Sequence, residues 1–537
     1  MRRILATALV FLGLFAGTGL RGGPIVRLQA QPSETERWWS HVAYLADDRL
    51  QGRQTGSKEH REAASYVAEH FRKAGLKPGA GAGYLQPVKL VTQTLDESRS
   101  SVTIVRDGAE LPVKFGDEVM LNLRVKHAPR VEAPLVFAGY GLTVPEAGHD
   151  DLSRIDMKGK IVVFLTGMPP GVSAPLYAHY ATNRWKAMHA AGAIGGVAIQ
   201  NPKGQDVPWE RQAQNRLMPQ MVLDDPAMDD NAGQQLAATV NPAHAEKWFT
   251  GSGHTFRDML DLANAGKPLP HFALAGTVRA LVAMGSEPVV SENVVGILPG
   301  TDPRLKDEYV VVTAHLDHLG TGSPVEGDGI FNGAMDNASG IATLIETAAA
   351  AAAKKGFKRS VAFVAVTAEE KGLLGSRYFA TRPTVPARGI VANLNTDMFL
   401  PLFPLRSLVV QGLEESDLAG DLQAVAAPLG IAVLTDPEPE RNAFTRSDQF
   451  SFIRRGVPAL SLKVGFARDS PEHEILKRWR TERYHSVRDD LSQPVDKQAA
   501  VEFNRIYVKL LEAVANRPTR PAWNASSFFR RFANPTN

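Results

Sequence analysis

Six almost wholly apolar runs recur in the second half of the chain, at 293–298, 309–313, 360–367, 389–395, 407–411 and 457–462. Stretches of helical character fall between them, for example 338–353 and 417–427. Such alternation predicts an α/β domain: a mixed, mostly parallel sheet with helices on both faces. Nearer the start, Ala64, Val67, Phe71 and Ala74 recur at helical spacing and predict a helix over 58–74. Ser57 is placed to cap its start and Gly75 its end. The stretch 45–53 around Arg53 is read as packing, with no chemistry assigned. From 126 to 271 the texture changes to short β-rich runs between Pro/Gly loops, such as 135–138 and 160–165. A helix-like stretch at 185–191 meets a glycine turn and a buried run ending at Ile199. This segment is expected to be an inserted β-rich domain without catalysis of its own. Its His149-Asp150-Asp151 is read as a solvated loop.

Composition narrows the class. The chain has 537 residues, 44% hydrophobic and 22% charged, enough for a sizeable core. Its net charge of +3 misleads, because the segments 1–30 and 513–537 each carry four arginines and no acid. Setting those eight aside leaves 52 cations against 57 acids, so nothing suggests a nucleic-acid partner. Cysteine is absent, which excludes disulfides, a thiolate metal site and a lipid-modified N-terminal cysteine. Arg2 and Arg3 precede an apolar run over 4–16 and then Gly17-Thr18-Gly19. This is the pattern of a secretory leader, expected to occupy 1–30, and the run is too short to span a bilayer. A periplasmic or secreted protein without stable membrane insertion is therefore expected, with a C-terminal tail at 517–537.

Polar clusters follow the apolar runs. The run 309–313 leads to His315-Leu316-Asp317-His318, and the next loop carries Asp336 before an Ala-rich helix. The run 360–367 leads to Glu369-Glu370, the run 389–395 leads to Asp397, and Tyr484-His485-Ser486 lies late in the domain. Each piece alone is commonplace. Repeated delivery of imidazole and carboxylate to strand ends is not, because charged groups are rarely buried unless paired or bound to metal. Two histidines and three carboxylates without cysteine suit Zn²⁺ or a similar divalent ion.

These pieces are similar to the M28 family of co-catalytic zinc peptidases. The matching motifs are Ala314-His315-Leu316-Asp317-His318, Met335-Asp336-Asn337-Ala338-Ser339-Gly340, Glu369-Glu370, Asn395-Thr396-Asp397-Met398 and Tyr484-His485-Ser486. The segments 31–125 and 272–516 resemble that family's peptidase domain, and 126–271 resembles a protease-associated (PA) domain. The resemblance implies two zinc ions bridged by Asp336, with His315 and Asp397 on one and Glu370 and His485 on the other. It implies Glu369 as general base acting on a metal-activated water, and Asp317 as the partner of the far ring nitrogen of His315. His318 is expected to line the cleft without binding metal. A cis Asp336–Asn337 peptide is a further implication. In Arg446-Ser447-Asp448-Gln449-Phe450, Gln449 stands where relatives often carry His, so no role is placed there. The implied activity is aminopeptidase action on peptide substrates. A carboxypeptidase or dipeptidase on the same scaffold is the alternative, and a catalytically silent binding protein the third reading.

Overall fold

The computed structural model describes residues 32–204, 207–214, 216–354 and 356–533. The expected leader at 1–30 lies outside them, as do the last four residues of the tail. One sheet contains β1 (Leu85–Leu95), β2 (Met284–Leu298), β3 (Tyr309–His315), β4 (Ser360–Val366), β5 (Ile390–Asn395), β6 (Ser407–Gln411) and β7 (Ala459–Val464), in the order β1-β2-β4-β3-β5-β7-β6. Gln220–Leu223 adds an edge beside β1, and Ala432–Leu434 adds one beside β6. The central pairs β4–β3, β3–β5 and β5–β7 are parallel, whereas β2 and β6 run antiparallel to their inner neighbours. The sheet is thus mixed, with a parallel centre.

Burial on both faces explains the unbroken apolar runs: every residue of β4 and β5 is buried. Alternate side chains enter two separate cores. Val310, Val312 and Ala314 face one, and Val311 faces the other. The first is covered by α1 (Glu34–Leu45), α2 (Lys58–Lys73) and α3 (Ser339–Ala353). On the second face lie α4 (Leu374–Thr381) and α5 (Gln449–Ile453), through Phe379 and Phe452. Helices α6 (Pro471–Glu482) and α7 (Lys497–Asn516) return to the first, bringing Trp479 and Tyr507. Helix α2 begins where the Ser57 hydroxyl accepts from the His60 amide, and it buries Ala64, Val67 and Phe71.

A second, eight-stranded sheet hangs from β1 and β2. Leu95, the last residue of β1, pairs with Met284, the first of β2. The intervening chain builds that sheet, from Ser101–Arg106 to His271–Leu281, and these two strands pair antiparallel. Its strands therefore extend on either side of the expected 126–271 limits, because 101–121 pairs locally with strands that come much later. One expectation is overturned here. Asp151 is 2% exposed, not solvated. It accepts from the Tyr140 and Leu142 amides at 2.9 and 3.2 Å and lies 2.9 and 2.8 Å from His149 and His271. The acid ties a turn to a strand.

Candidate metal centre

Strand register brings the polar clusters together. His315 sits opposite Val366 and Thr313 opposite Asn395, so β3 and β4 end level and β5 ends within two residues of them. Residues just past those ends emerge at one edge, where parallel sheets build their sites. Asp336 reaches the same place from the loop before α3, across a cis Asp336–Asn337 peptide, and His485 arrives after α6. Non-glycine residues in the left-handed region flank or carry the donors: Ala368 (φ 56°), Met398 (φ 45°) and His485 (φ 52°). Such backbone persists where surrounding contacts over-determine it, as they do at functional sites.

Asp336 lies at the middle. One of its oxygens is 3.1 Å from His315 Nε2 and the other is 3.4 Å from His485 Nε2. His315 Nε2 is also 3.3 Å from Asp397 Oδ1, and His485 Nε2 is 3.1 Å from Glu370 Oε2. All five expected donors are therefore assembled, and Glu369 lines the same cavity without joining the cluster. His315, Asp336 and Asp397 offer donor atoms within 4.8 Å of one another, as do His318, Asp336 and Glu370. Atoms bound tetrahedrally at about 2.0–2.2 Å stand roughly 3.3–3.6 Å apart, so the observed spacings fit divalent ions.

Two expectations need correction. The Asp317 carboxylate does not reach His315; Nδ1 of that ring lies 3.1 Å from the Asp317 carbonyl oxygen instead. The carboxylate points away and accepts from Thr55 Oγ1 at 2.9 Å and from the Glu369 and Glu370 amides at 3.0 and 3.3 Å. It fixes the backbone that carries both glutamates, so it is a positioning residue. Replacing Asp317 with Ala is expected to lower metal affinity about 10- to 100-fold, read by zinc titration with a chromogenic competitor. An unchanged affinity would mean the loop holds itself. His318, for its part, does not line the cleft. It is fully buried, with Nδ1 2.7 Å from Glu370 Oε1, and orients that carboxylate.

Three supporting residues escaped the sequence reading. Asp489 is fully buried and accepts from the Met335 and Asp336 amides at 3.0 and 2.9 Å. Its only signal was an acid four residues after His485. Arg53, from the stretch read as packing, donates to the Leu316, Asn332 and Gly333 carbonyls at 2.9, 2.7 and 3.1 Å and also to Leu45. Asp448 is fully buried near the cluster, where burial pushes its carboxyl up to about 7. The chain between β1 and β2 touches the site as well: Arg124 donates to the Glu370 carbonyl at 3.1 Å, and Arg211 donates to the Tyr484 carbonyl at 2.7 Å.

The field within the cluster is strongly polarised. Burial opposes a charge on His485, yet Glu370 and Asp336 push that imidazole up to about 10. His315 behaves alike, raised despite burial by Glu369, Asp336 and Asp397. Burial would raise Glu370, but His485 and His318 hold it well below the usual carboxylate value. Glu369 goes the other way: burial pushes it up, and Asp397, Glu370 and Asp448 add to the rise.

An α/β sheet with this donor set at the carboxyl edge of its parallel strands provides a place for divalent metal. Residues 293–511 match the family model of peptidase family M28. A protein of Pyrenophora teres f. teres named "Probable zinc metalloprotease" is 35% identical over 111 residues, covering 21% of this chain and 23% of that one. Its counterpart in Pyrenophora tritici-repentis is 34% identical over 111 residues, covering 21% and 25%. The chain thus matches about a quarter of the length of these curated relatives. Among solved structures, the aminopeptidase from Aneurinibacillus sp. strain AM-1 superposes with a TM-score of 0.56, covering 91% of this chain and 95% of that one. At 19% identity the likeness is one of fold.

Proposed function

We propose that the chain is an exported di-zinc aminopeptidase. The observation that carries this reading is Asp336, whose two oxygens face two different imidazoles, each with a further carboxylate beside it. Asp336 would thus serve both halves of the donor set if two ions were held there. His315 and Asp397 would hold one, and Glu370 and His485 the other. Bound there, the ions supply Lewis-acid polarisation of the scissile carbonyl and make water a better nucleophile. Glu369 takes the proton of the attacking water and returns one to the leaving amine. Asp317 keeps Glu369 and Glu370 in place, and His318 orients Glu370. The expected PA-like insertion at 126–271, through Arg211 and with Arg124 just before it, is read as a cover that restricts access to chain ends. Export rests on the basic and apolar start of the chain, and cell fractionation tests it.

Chelation is expected to abolish hydrolysis of aminoacyl chromogenic substrates, and two zinc equivalents per chain to restore it. The imidazoles bind protons more tightly than free histidine, so zinc must displace them. Zinc affinity accordingly rises with pH, and calorimetry in buffers of different ionisation enthalpy should show protons released. Activity that survives chelation, or uptake of a single ion, would sink the di-zinc reading. Cleavage of C-amidated but not N-acetylated peptides marks an aminopeptidase, and the reverse marks the carboxypeptidase alternative.

A further inference from the structure

The cavity over the donor cluster continues into a side pocket whose floor is formed by β6 and β7. Strand alternation sets what that floor presents. Leu460 and Leu462 are fully buried in the core, and Ser461 and Lys463 face the cavity. Across the ladder Ser461 pairs with Gln411 and Lys463 with Val409, so one face of the two strands makes a continuous wall. Trp479 and Phe466 belong to the same wall, and Asp397 marks its end at the cluster.

Lys463 is the residue out of keeping. Every other residue of its strand is buried, and the lysine is only partly so. Its ammonium has no hydrogen bond or ion pair to any described residue. The nearby cation Arg480 is committed, with both terminal nitrogens on Glu438 at 2.7 and 2.9 Å. The carboxyl of Asp436, also on the wall, accepts from the Glu438 amide at 2.8 Å; it and Asp397 attract Lys463 through space, without forming an ion pair with it. A cation largely withdrawn from water and without a direct hydrogen-bonded partner favours an anion delivered by a ligand. Gln411 and Ser461 beside it supply further donors for carboxylate oxygens.

We propose that Lys463 makes this pocket select a substrate carboxylate, which pairs with its ammonium while the adjoining peptide bond is cleaved. The proposal rests on reading the centre as a peptidase. The carboxylate has two sources, the side chain of an N-terminal Asp or Glu, or the α-carboxylate of the chain's own C-terminus. Isosteric pairs separate them. One arm compares Glu-Ala-Ala-amide with Gln-Ala-Ala-amide, and the other compares N-acetyl-Ala-Leu acid with its amide. In one arm the zinc-loaded wild type should show a carboxylate-over-amide ratio in kcat/KM of about 10- to 100-fold, the order of one charged hydrogen bond. That ratio should fall to about one in Lys463→Met, persist in Lys463→Arg, and give way to a preference for N-terminal Lys in Lys463→Glu. The first arm responding identifies the side chain, and the second identifies the terminus. A wild-type ratio near one in both arms overturns the proposal, as does a ratio that Lys463→Met leaves intact. If no peptide is cleaved, the peptidase reading has failed by itself. Calorimetric binding of the same pairs to Glu369→Gln protein, with and without Lys463→Met, then decides on Lys463 by the same ratio.

Discussion

Glu369→Gln is expected to lower kcat about 10²- to 10⁴-fold while leaving zinc content and KM close to wild type. Glutamine has the same shape, so the cavity stays filled and only the proton acceptor is lost. Glu369 lies outside the assembled donors, which is why bound metal should not change. Two features make it a base rather than a passive wall. Its amide is pinned to the Asp317 carboxylate at 3.0 Å, which aims the side chain. Burial raises its carboxyl well above the usual value, and the neighbouring carboxylates Asp397, Glu370 and Asp448 reinforce this. A base drawn toward the working pH holds the proton it abstracts long enough to deliver it to the amine. Steady-state kinetics with zinc analysis on the same samples checks this. A loss of kcat that tracks a loss of zinc would instead make Glu369 a metal ligand.

The parallel centre of the sheet could be read from the chain because strands buried on both faces must be apolar without interruption. Strand β4 reads Ser-Val-Ala-Phe-Val-Ala-Val and no part of it meets solvent. The donors were legible for a related reason: a charge directly after such a run has nowhere to go except a site. What stayed hidden was direction and distance. Asp317 follows His315 by two residues, yet the turn of the chain sends its carboxylate to the Glu369 loop, 52 residues on. Nothing periodic records that. Asp489 meets its partners across 153 and 154 residues, and Arg53 meets Leu316 across 263. Single polar residues with partners so remote leave no local pattern, and in isolation nothing marks them as part of a site. The second sheet began earlier than expected for the same reason, its first strand Ser101–Arg106 being completed only by His271–Leu281.

Arg53 is expected to be the costliest single truncation outside the donor set. Its side chain is 1% exposed and satisfies four carbonyl oxygens, at Leu45, Leu316, Asn332 and Gly333. Leu316 lies in the loop after β3, Asn332 and Gly333 lie in the loop before Asp336, and Leu45 ends α1, so one guanidinium fastens both halves of the candidate metal centre to α1. Burial lowers its pKa to about 10, a fall that Asp489, Asp317, Asp336 and Glu370 oppose, and it stays charged at neutral pH. Arg53→Met keeps the bulk but strands the carbonyls, each costing roughly 1–3 kcal/mol when buried. With partial relaxation the loss should be about 4 kcal/mol, measured by denaturant unfolding. Arg53→Lys should recover less than half, because a single ammonium cannot span the fork. The sign of the metal dependence follows from charge. Without zinc, Arg53 offsets a crowd of carboxylates, so its removal hurts twice. With zinc bound the same cation repels the ions, and its removal is partly compensated. The destabilisation should therefore be larger in chelator-treated than in zinc-loaded protein, and equal losses would show that Arg53 acts through its hydrogen bonds alone.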